Sequence, residues 1–165
     1  MRERPTTRVH IAQADTLARR DGRLPQERVA DADSRALQYR NLIAGFCTTG
    51  GVVTGNELAA LVQAHSEQAV SKVARWIVSR SVLSFSWEAQ TLVPLFQFER
   101  PTMQLREGMA NTLPELLDVF DNWELARWFA NPNPWLGDVA PADLLATRPD
   151  LVRDAARVDR FIARH

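Results

Sequence analysis

Of 165 residues one is cysteine and three are histidine. The lone Cys47 rules out an internal disulfide and points to a reducing compartment, where it serves as a packed or idle thiol. His10, His65 and His165 stand far apart and share no ligand spacing with Cys47 or with a carboxylate pair, so no metal and no cofactor is expected. The chain also lacks G-x-S-x-G, a P-loop and G-x-G-x-x-G. Asp121 and Glu124 share one helix, where capping and surface charge account for them better than acid–base work. No catalytic residue is assigned, and an enzyme is not expected. No apolar run approaches the ~18 residues of a membrane span, which argues against a membrane partner. Residues 1–20 have no apolar signal-peptide core, so a cytoplasmic location is the expectation. Internal repeats and low-complexity tracts are absent as well.

What is present suits one domain or two small ones. Hydrophobic residues make up 45% of the chain, enough for a real core, and twenty basic side chains balance twenty acidic ones. That balance gives no global attraction to nucleic acid or membrane. The charge is unevenly spread, however. Residues 1–40 hold nine arginines against six acids, and residues 81–165 hold eight against twelve. This suits a front part facing DNA and a back part facing a protein, although chance would also produce it.

Residues 1–10 read as a polar arm, and 11–20 and 26–46 as helices of unknown role. Thr48-Thr49-Gly50-Gly51 is a break. Thr54 and Glu57 form a T-x-x-E capping box that starts a helix to about Ala64. After His65-Ser66 a second helix runs from Glu67 to Ser79, with Val70, Val73 and Ile77 in register. Residues 82–87 alternate as a strand, 88–90 turn, and 91–98 return, with Pro94 placing that return strand at an edge. Two helices and a hairpin are the order of a winged helix-turn-helix. Farther on, a short helix is expected over 103–110, and Thr112 with Glu115 as a second capping box. Trp123 to Ala130 forms a helix capped by Asp121 or Asn122 and stopped by Pro132. Pro141 and Pro149 each open a helix. The predicted fold is mainly α: a helix-turn-helix with a β-hairpin wing, then a small C-terminal helical domain. The expected divisions are 1–47, 48–100 and 101–165.

The second helix of the pair sets Gln68, Ser71, Lys72 and Arg75 on one side, a set able to read base edges and hold phosphate. The alternative is a scaffold pair that only packs, since Gln63-Ala64-His65 stands where such turns often carry glycine. Most of the many tryptophans and phenylalanines are core candidates. Trp135, between Pro134 and Leu136, is either a lid on the core or an exposed anchor. The last helix carries two stripes of equal spacing: Leu151, Ala155, Val158 and Ile162, and Arg153, Arg157, Arg160 and Arg164. The first should dock near Trp123 and Leu144, leaving the second turned outward, either as a solvated face or toward a partner. Trp135, the two-sided tryptophan helix and the charge balance suggest a two-fold homodimer.

Residues 94–98 (PLFQF), 112–117 (TLPELL), 123–129 (WELARWF), 131–137 (NPNPWLG) and 141–145 (PADLL) follow one another at spacings similar to the Xre/MbcA/ParS-like toxin-binding domain with its preceding helix-turn-helix. In the residues' own terms, Trp123 and Trp128 fix a helix on the core. Pro132 and Pro134 stiffen the connector, Gly137 supplies a positive φ, Pro141 opens a helix, and Leu144 and Leu145 return to the core. Asp138 stands where a second glycine is common, Ala140 where Ser or Thr usually caps, and Ala142 in place of a larger apolar residue. The resemblance implies an antitoxin of a type II toxin–antitoxin system. It would bind a RES-type, NAD-degrading toxin, block its active site without chemistry of its own, and in some cases bind its own promoter. On that reading Trp135 and the arginine stripe are the toxin-binding candidates. The alternative is a stand-alone DNA- or protein-binding regulator of the same fold with no toxin partner.

Overall fold

A computed structural model describes residues 24–165; the arm over 1–10 and the helix over 11–20 lie outside them. The chain divides after Arg40, and Asn41–His165 forms one compact unit. The first described helix, α1, is Pro25–Gly45. A 3-10 turn, Cys47–Thr49, ends at Gly50 and Gly51, both with positive φ, as the Thr-Thr-Gly-Gly break predicted.

From there the order is β1 (Val52–Thr54), α2 (Gly55–Gln63), α3 (Ala69–Val78), β2 (Phe85–Trp87) and β3 (Gln90–Pro94). Strand β1 was not expected. The capping box that opens α2 is complete: Glu57 N–H donates to Thr54 Oγ1 at 3.2 Å, and Thr54 N–H donates to Glu57 Oε2 at 2.7 Å. The three strands form an antiparallel sheet in the order β1-β3-β2. The hairpin stands, but β3 is the central strand and not an edge. Pro94 is tolerated there for a reason of register. Leu95 N–H donates to Gly51 O, so 95/51 and 93/53 are the hydrogen-bonded pairs. Pro94 falls between them with its nitrogen toward β2, which pairs no farther than Leu92. The strand also ends sooner than predicted. Leu95–Gln97 coil into a 3-10 turn, and Phe98–Glu99 (β4) pair with Gln104–Leu105 (β5) in a second small hairpin.

The remaining helices are α4 (Glu107–Leu116), α5 (Asn122–Ala130), α6 (Pro141–Leu144) and α7 (Pro149–Arg164). The expected second capping box does not form. Helix α4 runs through that position, Thr112 is buried inside it, and Glu115 bonds elsewhere. Leu113, Leu116 and Met109 bury fully beside Thr112, and this outweighs the local start signal at Thr112. Helix α5 begins as predicted, with Asp121 and Glu124 in a reciprocal box.

Two parts of the apolar interior can be named. Leu58, Val62, Val73, Val93, Leu95 and Phe98 fill the space between α2, α3 and the sheet. Phe46 lies parallel on Phe96 at 5.5 Å, and Phe96 meets Phe129 of α5 at 5.1 Å. Each fully buried ring contributes roughly 1.5–3 kcal/mol by leaving water. Helix α7 packs chiefly on α4, with the first turns so close that a Cβ on Gly108 would lie 2.7 Å from Pro149 Cβ.

Candidate functional site

Helix α3 buries Ala69 and Val73 and half-buries Trp76 and Ile77. The opposite face is therefore open. Gln68, Ser71 and Arg75 are exposed on it. Lys72 is only half-exposed, its Nζ lying 5.2 Å from the Trp76 ring centroid in a cation–π contact. The rest of the open face is apolar. Val70 is 74% exposed and Val78 84%. A groove of about 470 Å³ runs between Val70, Ala74 and Ile77 and the hairpin residues Ala89, Gln90 and Thr91. Arg80, just past the helix with φ 54°, donates to Leu117 O, Phe120 O and Asn122 Oδ1. It thereby satisfies carbonyls left free where α4 ends.

The second region centres on Asp159. Its carboxylate accepts three N–H donors: Trp128 Nε1 at 2.7 Å, Asn133 Nδ2 at 2.9 Å and Trp135 Nε1 at 3.0 Å. Asn133 is buried, and its Oδ1 also accepts Trp135 N–H at 2.9 Å. The loop around it is held by a backbone bridge from Asn133 to Val139 and by positive φ at Gly137 and Asp138. Trp135 is 56% exposed although both of its N–H groups are tied.

Residues 115–165 match the model of the antitoxin Xre/MbcA/ParS C-terminal toxin-binding domain. This segment is similar to a toxin-binding antitoxin domain. Neither curated proteins nor solved structures gave a match to the chain. The domain takes in the Asp159 hub, the NPNPWLG loop, and helices α5 to α7. Among the described residues, no group of three or more His, Cys, Asp or Glu is placed to hold a metal, and no helix is long and apolar enough to cross a membrane.

Within the matched segment the motif residues are placed as follows. Trp123 stacks on Trp87 at 5.9 Å and meets Phe85 edge-on at 5.7 Å, fastening α5 to strand β2. Trp128 packs edge-on against Phe129. Asn131, before Pro132, is extended and ends α5. Pro134 opens a 3-10 turn that left-handed Gly137 closes. Pro141 starts α6 behind an Ala140 that makes no side-chain cap. Leu144 is half-buried and Leu145 fully so.

The last helix differs from expectation. Its buried face is Val152, Ala155 and Ala156, with Asp159 half-buried below. That face lies between the two predicted stripes, about one residue's 100° rotation from the apolar one. Leu151, Val158 and Ile162 are consequently exposed, and only Ala155 of that stripe docks. The arginines do not stand free. Arg157 Nε lies 2.9 Å and Arg160 Nη1 2.5 Å from the two oxygens of Glu115, and Arg164 Nη2 is 3.1 Å from Asp118. Arg153 is 3.7 Å from Asp150. Hydrogen bonding and charge from Arg157, then the charge of Arg160, hold the Glu115 carboxyl below its usual range despite some desolvation, and Glu115 in turn raises Arg157. Sequence reasoning missed Glu115 as a partner, and also Asp159, Asn133 and Arg80. Asp159 interrupts the row Val152–Ala156 at the next turn, so it read as a surface charge. Its only signal is a carboxylate in helical register with a buried row.

Proposed function

We propose that this chain is an antitoxin that binds a RES-type NAD-degrading toxin and closes its active site by steric occlusion, contributing no reactive group. The match of residues 115–165 to a toxin-binding domain carries the reading. The exposed faces of α7 and of the NPNPWLG loop lie inside that segment and supply surface to bind with. The chain is expected to act in the cytoplasm as a homodimer. The first test is whether a RES-type protein is encoded beside this chain, and the second is NAD consumption by that protein once purified. Stoichiometric full-length chain should abolish the activity, and undiminished NAD loss in its presence would exclude the reading.

A second role, binding of promoter DNA, is favoured by one observation: Gln68, Ser71 and Arg75 are exposed on a helix flanked by a wing. Helix and wing tip offer few cations, because Glu88 sits at the tip and Lys72 leans on Trp76. Affinity should therefore fall with salt at a slope of only about −2 to −4 per monomer. Arg75→Ala should weaken promoter binding in a gel-shift titration, and unchanged affinity would mean that α3 only packs.

A further inference from the structure

Helix α3 carries two strips on its open side. At 100° per residue, Ser71 and Arg75 lie within about 40° of each other, and Val70, Ala74 and Val78 adjoin them, spread over about 80°. Both strips are exposed. Val70, in the first turn of the helix, is 74% exposed and turned away from the core. Val70 and Ala74 also line the groove whose far wall is Ala89, Gln90 and Thr91 of the wing. Gln68, at the N-cap, spends no side-chain bond on the cap.

We propose that α3 reads A·T pairs in the major groove, with Gln68 and Ser71 bonding the adenine edge and Val70 covering the 5-methyl group of thymine. The inference rests on the promoter-binding reading above and adds what the helix selects.

The chemistry of the two strips chooses the base pair. In the major groove an A·T pair presents an acceptor and a donor on adenine, and an acceptor and a methyl group on thymine. A G·C pair has no methyl group. A glutamine amide and a hydroxyl set beside an aliphatic side chain match the first pattern, and on the second the valine would find no apolar contact. Position supports the same choice. Reading helices touch bases with their N-terminal residues. Gln68, Val70 and Ser71 are N-terminal on α3, whereas Val78, more exposed still, stands at its far end. Ala74, one turn on from Val70, is short enough to let the helix come close to the bases. Charge points the same way. Glu67 adjoins Gln68 and Lys72 leans on Trp76, so Arg75 is the main cation of this face. With so few phosphate contacts to offer, the helix must take its discrimination from base edges.

Fluorescence-anisotropy titrations test this with the DNA directly upstream of the gene for this chain, made once with thymidine and once with deoxyuridine throughout. Deoxyuridine keeps every hydrogen-bonding group of thymidine and deletes only the methyl. Random-sequence duplex of each kind sets the non-specific level. The parent chain should bind the deoxyuridine duplex more weakly, by about fourfold for each methyl that Val70 covers. Val70→Ala should lose a similar factor on the thymidine duplex and lose little more on deoxyuridine, a non-additivity that general weakening would not produce. Val70 is exposed, so this variant keeps the parent's circular dichroism and melting temperature. Gln68→Ala should weaken binding to both duplexes and keep the preference for thymidine. The proposal is overturned if the parent binds both duplexes equally, or if Val70→Ala keeps the parent's full preference. It is also overturned if Val70→Ala changes the sedimentation of the chain alone and leaves the preference intact, since the strip would then serve a protein. If the parent binds its upstream DNA no better than random duplex, the promoter reading falls and this inference with it.

Discussion

Gln97 has no solvent exposure, yet it makes three hydrogen bonds: Oε1 accepts Leu83 N–H at 2.6 Å, and Nε2 donates to Leu83 O and Pro94 O, each at 2.9 Å. One side chain thus stands in for a strand neighbour where β3 stops. Gln97→Leu keeps the bulk and leaves three buried backbone groups unpaired, each worth about 1–3 kcal/mol. Stability in urea should fall by about 3 kcal/mol. A loss under 1 kcal/mol would mean that those groups find other partners. Thr112 is the opposite case. Its hydroxyl is buried and has no partner. Thr112→Val removes that polar atom at nearly constant shape and should raise stability by about 1 kcal/mol. Neither role was legible in the sequence. Gln97 sits in the apolar run TLVPLFQF and Thr112 begins a capping motif, and both are decided by long-range packing, which local patterns do not encode.

At the level of elements, punctuation was the most legible feature. Thr54–Glu57, Asp121–Glu124, Pro132, Pro141 and Pro149 act through their own backbone within a few residues, and each does what its chemistry predicts. Orientation was less legible. Along α7 the rows from Leu151 and from Val152 are almost equally regular, and the choice between them rests on what α4 offers. Small Ala155 and Ala156 allow close approach, and Glu115 waits beneath Arg157 and Arg160. Because the folded state holds the Glu115 carboxyl below its ordinary 4.5, its contribution is complete above that pH and is lost as pH falls through the lower folded value. Glu115→Gln should therefore cost about 1 kcal/mol at pH 7. The difference from the parent should vanish in acid, where both side chains are neutral. A gap that persists at low pH would assign the effect to packing.

For the molecule as a whole, the packing of 41–165 as one unit has a thermodynamic counterpart. Trp123 on Trp87, Phe96 on Phe129, and Arg80 on the end of α4 tie the sheet and its helices to the C-terminal helices. Thermal unfolding of this unit should be a single transition, with calorimetric and van't Hoff enthalpies in agreement. Two separable transitions would mean that the segments fold independently. The hairpin tip carries this dependence into kinetics. Glu88 and Ala89 both take positive φ in a two-residue turn of the kind that Asn-Gly suits, at a cost of roughly 1 kcal/mol for each residue. Such a hairpin gains little by closing alone, so it waits for the indole of Trp123 to arrive from 36 positions downstream of residue 87. We expect the wing to be among the last pieces to settle, after α5 has docked. Replacing the pair by Asn-Gly should then slow unfolding several-fold and leave the stopped-flow refolding rate nearly unchanged, whereas faster refolding would place the wing early.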